Sequence, residues 1–184
     1  MLGSELLTGE KVRLVALTRN EASLVASWYA DAEFMRLLDA DVAFPKSEDD
    51  IGRMVEDSSR HNTSFLFGVR RISDEQLVGI VDLTDILWHH GVGWLSIAIA
   101  REFWGQGLGT EALMLLVQYA FMELNLHRLQ LTVFDYNERA MAVYCKLGFQ
   151  REGTFREYMQ RDGQWYDMHL MGLLRREWEE RGRK

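Results

Sequence analysis

Residues 94–112, WLSIAIAREFWGQGLGTEA, pass from a run suited to a buried strand, through three alternately spaced glycines, into the opening of a helix. Trp94 to Ala100 carries side chains that suit a pleated, buried ladder. Gly105, Gly107 and Gly109 remove the side chains that would hold an anion away from the backbone. From Leu108 onward the apolar positions Leu108, Ala112, Leu115, Leu116 and Tyr119 return at the helical period. The free N–H groups and positive dipole end of that helix therefore fall at the glycines, where a diphosphate has a docking place built from backbone, with no basic side chain. GQGLGT fits neither GxGxxG nor GxxxxGK[ST], so the glycines alone are equally consistent with a tight strand-to-helix turn.

A second segment, Asn137 to Phe149, reads NERAMAVYCKLGF. Ala140, Val143, Tyr144 and Leu147 share one helical face, Asn137 is a good N-cap, and Gly148 is placed to end the helix in the left-handed region. Together with WGQGLGTEA, the pattern N-x-x-A-x-x-x-Y-x-K-x-G-F resembles the GNAT superfamily of acyl-CoA-dependent N-acetyltransferases. The flanking text, ELNLHRLQLTVFDYN and FQREGTFREYMQRDGQWYDMHLMGLL, is similar to the branch that holds the RimJ/RimL-type protein N-terminal acetyltransferases and the spermidine acetyltransferases. The resemblance is dense from Val78 to Leu174 and thin before it. Two positions depart from the usual pattern: Trp104 stands where Arg or Gln is common, and Gly109 where Ala is also common.

The resemblance implies an α+β fold. Its mixed, mostly antiparallel sheet has six to seven strands flanked by about four helices, and strands 4 and 5 splay apart to admit acetyl-CoA as co-substrate. It further implies acetyl transfer to a primary amine by direct attack in a ternary complex. Strands that separate leave N–H and C=O groups that need partners. The two amides of a pantetheine arm can pair with the free edge at Ile97, Ala98 and Ile99 like an added strand. The diphosphate then reaches the turn made by Trp104, Gly105, Gln106, Gly107, Leu108, Gly109 and Thr110, with Asn137 and Arg139 on the other side.

The whole chain of 184 residues suits one domain, 1–184, and 47% apolar content supplies a core. The longest apolar run is far too short for a bilayer span, and the N-terminus lacks the order of a signal peptide, which points to a cytoplasmic protein with no membrane partner. A single Cys145 excludes an intrachain disulfide, and no base partner is evident for it as a nucleophile. Residues 1–100 hold nine Lys or Arg against sixteen Asp or Glu, while residues 101–184 hold twelve of each. No basic stripe is available for nucleic acid, and cations or amines are the favoured ligands.

In chain order, Lys11 to Leu17 alternates as a first strand and Thr18 to Ala30 follows as a helix. Asp31 to Pro45 has no steady period and reads as a loop or broken helix, before a capped helix from Ser47. Phe65 to Arg70 and Gln76 to Leu83 form a hairpin. Later strands are expected at Leu129 to Phe134, Gln150 to Tyr158 and Tyr166 to Leu174.

Amide formation from a thioester requires a neutral amine, an acceptor for its proton, stabilisation of an oxyanion and a proton for the departing thiolate. Tyr144, about two turns into its helix, is the candidate for the last task, and the resemblance assigns it that role. Asp82 and Asp85 in VDLTDI are the candidate bases, although acids on a strand face are also commonly just solvated. For the acceptor, a small-molecule amine or a protein N-terminus, Glu33, Asp41 and Asp85 are the candidate binding carboxylates. Residues 31–57 hold nine acids against three bases. His89 and His90 point apart in a turn, and His61, His127 and His169 have no metal-site spacing, so no metal is expected. A catalytically idle acyl-CoA-binding member of the fold and a nucleotide-binding module are the alternatives. The number of subunits is left open, a homo-oligomer included.

Overall fold

In the computed structural model, which describes residues 6–60 and 62–182, seven strands form one mixed sheet in the order β1-β2-β3-β4-β5-β7-β6. β1 (Val12–Ala16), β2 (Phe65–Arg71), β3 (Leu77–Leu87) and β4 (Val92–Ile99) are successively antiparallel. β5 (Arg128–Phe134) pairs antiparallel with β7 (Gln164–Leu174), which pairs antiparallel with the edge strand β6 (Gln150–Arg161). The halves join where β4 and β5 run parallel through only three registered pairs, Val92↔Arg128, Gly93↔Leu129 and Trp94↔Gln130. Beyond Trp94 and Gln130 the two strands part, which is the splay that the α+β expectation placed between strands 4 and 5.

Side-chain alternation along β3 and β4 divides the core into two faces. Val81, Leu83 and Leu95 pack with Leu108, Leu113, Leu116 and Phe121 of helix α4 (Leu108–Met122). Leu77, Ile80, Ala98 and Ala100 pack with α1 (Ala22–Trp28), α2 (Ala32–Leu38) and α3 (Glu48–Arg60) through Val25, Trp28, Tyr29, Phe34, Met35 and Ile51. Ser47 and Asp50 close the start of α3 reciprocally: the Ser47 N–H donates to the Asp50 carboxylate at 2.9 Å, and the Asp50 N–H donates to the Ser47 hydroxyl at 3.2 Å.

The segment expected to be a loop or broken helix contains α2. Asp31 caps it, its carboxylate accepting from the N–H groups of Glu33 at 2.8 Å and Phe34 at 3.4 Å. Two turns are too few to display a period, and burial of Phe34 and Met35 holds the helix instead. The short terminal helix α6 (Arg175–Arg181) has no counterpart among the expected elements, for the same reason. β6 runs on to Arg161 past a register break between Phe155 and Met159, inside which Glu157 sits at φ +49. Helix α5 (Glu138–Leu147) starts at the Asn137 cap and ends at Gly148, φ +102, as its sequence predicts.

Candidate active site

The splay opens into a cleft of about 590 Å³ lined by both diverging strands, the start of α4, the face of α5 and the end of α2. At its α4 end Gly107 adopts φ +79, a conformation that glycine takes without strain, and helical bonding begins with the Glu111 N–H on the Gly107 carbonyl at 3.2 Å. The N–H groups of Leu108, Gly109 and Thr110 are therefore outside the helix ladder and face the cleft end. Leu108 itself is core, so it offers the cleft only its backbone.

The three glycines do different work. Gly105 at φ +75 has nothing within 4 Å of where a Cβ would stand, whereas a Cβ on Gly109 would lie 3.2 Å from Ile99 Cγ1 and 3.4 Å from Ile97 Cδ1. Gly109 thus lets α4 approach β4; it does not clear an anion path.

The α4 end of the cleft, expected from sequence to have no basic side chain, has two beside it. Lys11 Nζ donates to the Gln106 carbonyl at 3.4 Å and lies 3.5 Å from where a Gly107 Cβ would be. Arg71 reaches Gln106 Oε1 at 3.5 Å while its guanidinium stacks 4.9 Å over Phe103, a cleft residue. β1 and β2 pair so that these two cations, distant in the chain, arrive together beside the turn.

Along β4 the ladder alternates. The Ala100 N–H bonds the Val78 carbonyl at 2.9 Å, so Ala98 and Ala100 turn their backbone groups to β3 while Ile97 and Ile99 turn theirs toward the splay. Of the expected free edge, Ala98 lines the cleft without offering it a backbone group. The Ile99 carbonyl is already taken by Trp104 Nε1, at 2.6 Å, which leaves Ile97 as the open pair. Trp104 in turn lies beneath Arg139, whose guanidinium stacks 3.7 Å from the ring. The two residues bridge the arms of the splay. Burial lowers the Arg139 pKa, and the nearby Glu33 carboxylate counters it. Asn137 lines the cleft, but its side chain is engaged: Oδ1 accepts from the Ala140 N–H at 3.2 Å and Nδ2 donates to the Leu37 carbonyl at 3.3 Å.

Tyr144 projects from α5 into the cleft and packs against Phe149 at 6.1 Å between ring centroids. Burial, together with the Asp82 carboxylate, pushes its hydroxyl up to about 12. Its proton is retained throughout the neutral range. Tyr29, at the end of α1, is raised to about 12 by burial first, then by Asp82 and Asp39. For both phenols the folded state holds a proton that the unfolded chain releases near 10. Stability is therefore complete below the unfolded value and is lost as pH rises through the folded one, by about 1.4 kcal/mol per pH unit for each tyrosine. Alkaline melting curves followed by tyrosinate absorbance check this; a Tm that stays flat across that window contradicts it.

Neither candidate base lines the cleft, and only Asp82 is bonded to a residue that does. It lies on β3 opposite Ser96, whose hydroxyl donates to it at 2.8 Å. Burial pushes its carboxyl up, Ser96 partly reverses that, and Asp85 adds to the rise. Asp85 is exposed, at φ +48, in the register break between Thr84 and Leu87, and does not line the cleft.

The carboxylates expected to bind the acceptor are placed otherwise. Glu33 pairs with Arg101 at 2.8 Å, and Asp31 with the same guanidinium at 3.2 Å. Asp41 is exposed, and its carbonyl, with those of Asp39 and Ala40, accepts from Arg161 at 2.9 to 3.2 Å. Neither Glu33 nor Asp41 lines the cleft. That wall is formed by Phe34, Leu37, Leu38, Asp39, Tyr158 and Met168. Among the described residues no three His, Cys, Asp or Glu side chains are arranged to hold a metal ion, and His61 lies outside them. Buried His169 instead meets the Thr154 hydroxyl at 3.0 Å.

Residues 11–150 match the family described as Acetyltransferase (GNAT) domain. The chain belongs to the GNAT acetyltransferases. It is similar to the spermidine N(1)-acetyltransferase of Escherichia coli, 30% identical over 94% of this chain and 85% of that one. It is also similar to the Escherichia coli [ribosomal protein uS5]-alanine N-acetyltransferase, 26% identical over 68% and 65%. A crystal structure of spermidine N-acetyltransferase from Vibrio cholerae, in complex with CoA and spermine, superposes with a TM-score of 0.84 at 24% identity, covering 93% of this chain and 99% of that one. This GNAT protein is accordingly an N-acetyltransferase that takes its acetyl group from acetyl-CoA and passes it to an amine. Among the described residues no helix is long and apolar enough to cross a membrane.

Proposed function

We propose that chain 1–184 acts as one catalytic domain in which acetyl-CoA lies along the open edge of β4 and the acceptor amine attacks directly from the α2 side. The observation that carries this reading is the parting of β4 and β5 into a cleft that both Tyr144 and Ile97 line. The diphosphate is held by the N–H groups of Leu108, Gly109 and Thr110, with Lys11 and Arg71 as its basic neighbours. Tyr144 supplies the proton for the thiolate, its protonated phenol being a donor at neutral pH.

Lys11→Gln should weaken acetyl-CoA binding by about two- to fivefold, the size of one exposed ion pair, and lower its salt dependence. Titration calorimetry at low and high salt checks this, and equal affinities in both proteins at low salt remove Lys11 from the site.

For the acceptor, the wall of Phe34, Leu37, Leu38, Tyr158 and Met168 with the single carboxylate Asp39 supports a primary amine carried on an apolar or peptide body. A polyamine needs several unpaired carboxylates, and Asp31 and Glu33 are bound to Arg101. The test is a release assay for free CoA with N-terminal peptides, aromatic and aliphatic amines, aminoglycosides and polyamines in parallel. The expected order places kcat/KM for polyamines at least about tenfold below the best apolar amine. A polyamine at the top of the order overturns the acceptor assignment, and release with none of the amines overturns catalysis itself in favour of an acyl-CoA-binding role.

A further inference from the structure

We infer that Ser96 is the hydroxyl that receives the proton of the acceptor ammonium and hands its own to Asp82, the two forming a relay through β4. The inference rests on the amine-acetylation reading above. Ser96 lines the cleft and Asp82 does not, because Asp82 lies on β3, one strand removed from the splay. The two residues are direct partners in the ladder, on the face they share with Ile80, Ala98 and Ala100, and Ser96 Oγ stands 2.8 Å from Asp82 Oδ1. A register slip of one residue would turn Ser96 to the α4 face and break the connection. The Ser96 hydroxyl gives its one proton to Asp82, which leaves its lone pairs as acceptors for an N–H on the cleft side.

The carboxylate has the surroundings of a proton acceptor. Buried Ile80, Ala98 and Tyr29 belong to the apolar cluster on this face of the sheet, and Asp82 beside them is half-buried. The titratable groups acting on Asp82 and its neighbours are Tyr29 from α1, Tyr144 from α5, Asp85 of its own strand and, through Tyr29, Asp39; each is neutral or negative. Asp85 favours the protonated carboxyl over the ion, and none of these groups brings a positive charge that would hold the ion.

The step balances in protons. One N–H bond of the ammonium breaks as an O–H bond forms on Ser96, while the former Ser96 proton bonds to Asp82 Oδ1, giving a neutral amine, a neutral carboxylic acid and an unchanged serine. The nitrogen lone pair then forms the C–N bond to the acetyl carbon as the C–S bond breaks. The second nitrogen proton leaves with the sulfur by way of the Tyr144 hydroxyl, and Asp82 returns its proton to water once the product has departed.

The test compares wild type, Ser96→Ala, Asp82→Asn, the double variant and Ser96→Thr, using CoA release with the best acceptor of the screen across neutral to alkaline pH. The relay requires that both single variants lose about a hundredfold or more in kcat near neutral pH with acetyl-CoA affinity unchanged. The double variant should then be no slower than the slower single variant, and Ser96→Thr should recover most of the rate, since it restores the hydroxyl on a residue suited to a strand. Where the acceptor ammonium loses its proton to solvent by itself, at high pH, all five proteins should converge. Melting temperatures accompany every variant. If Ser96→Ala keeps the wild-type rate and pH profile while Asp82→Asn loses them, or if the two losses multiply in the double variant, the relay is overturned and amine acetylation stands. If no amine of the screen makes the wild type release CoA, the catalytic reading fails and takes the relay with it.

Discussion

Tyr144→Phe should bind acetyl-CoA as wild type does yet turn over between about tenfold and ten-thousandfold more slowly, the range for a lost proton donor. The substitution isolates the hydroxyl. The ring keeps its edge contact with Phe149 and its place in the main core, so the fold loses no packing. In the proposed arrangement binding draws on Ile97, the α4 N-terminus and Lys11, none of which the phenol oxygen holds. The change therefore belongs in kcat, and KM for the acceptor should move little. Steady-state release of CoA measures kcat, and calorimetry measures affinity. Equal turnover in the two proteins would make Tyr144 a packing residue whose raised hydroxyl reports only its burial.

The second large effect is expected at the other end of the cleft. Gly107→Val should raise the dissociation constant for acetyl-CoA by about ten- to a hundredfold, because a β-branched residue resists the left-handed backbone by 1–2 kcal/mol or more. Its added carbons also enter the space between the free N–H groups and Lys11 Nζ, 3.5 Å from the Cβ position. Relaxing the strain would rotate the very amides that are proposed to hold the diphosphate. Gly107→Ala, with the same φ demand and less bulk, should fall between the two. Melting curves distinguish weaker binding from unfolding. A folded Gly107→Val protein with wild-type affinity would place the diphosphate elsewhere.

Pattern and local chemistry carried the sequence a long way. β4 and α4 are legible because the Trp94–Ala112 stretch changes from strand to helix across the glycines, and α5 because Asn137 and Gly148 bracket an apolar face. Tyr144 is legible as a cleft residue since its spacing from Asn137 places it on the inward side of α5. These are readings of one to three turns of chain, where neighbours in sequence are neighbours in space.

Wherever the outcome depended on a partner far along the chain, the sequence was silent or misleading. Nothing near GQGLGT announces Lys11, which stands beside it only because β1 and β2 pair at the sheet edge nearest the N-terminus of α4. Glu33 and Asp41 look like a cation site when counted as charges. Arg101, 68 residues further on, occupies the Glu33 carboxylate, and Asp41 lies outside the cleft lining with its backbone carbonyl on Arg161. Why position 109 is a glycine is equally hidden: a Cβ there would crowd Ile97 and Ile99, so the missing side chain serves helix-to-strand contact while the backbone still lines the cleft.

By itself, then, the sequence determined the kind of fold, the elements that flank the cleft and the family. Those follow from period, caps and motif, which are local. Only the tertiary structure decided which backbone groups of β4 stay open, which acids are already neutralised, and that Ser96 stands between Asp82 and the cleft. Those follow from strand register and long-range ion pairing, whose partners no single stretch of chain contains.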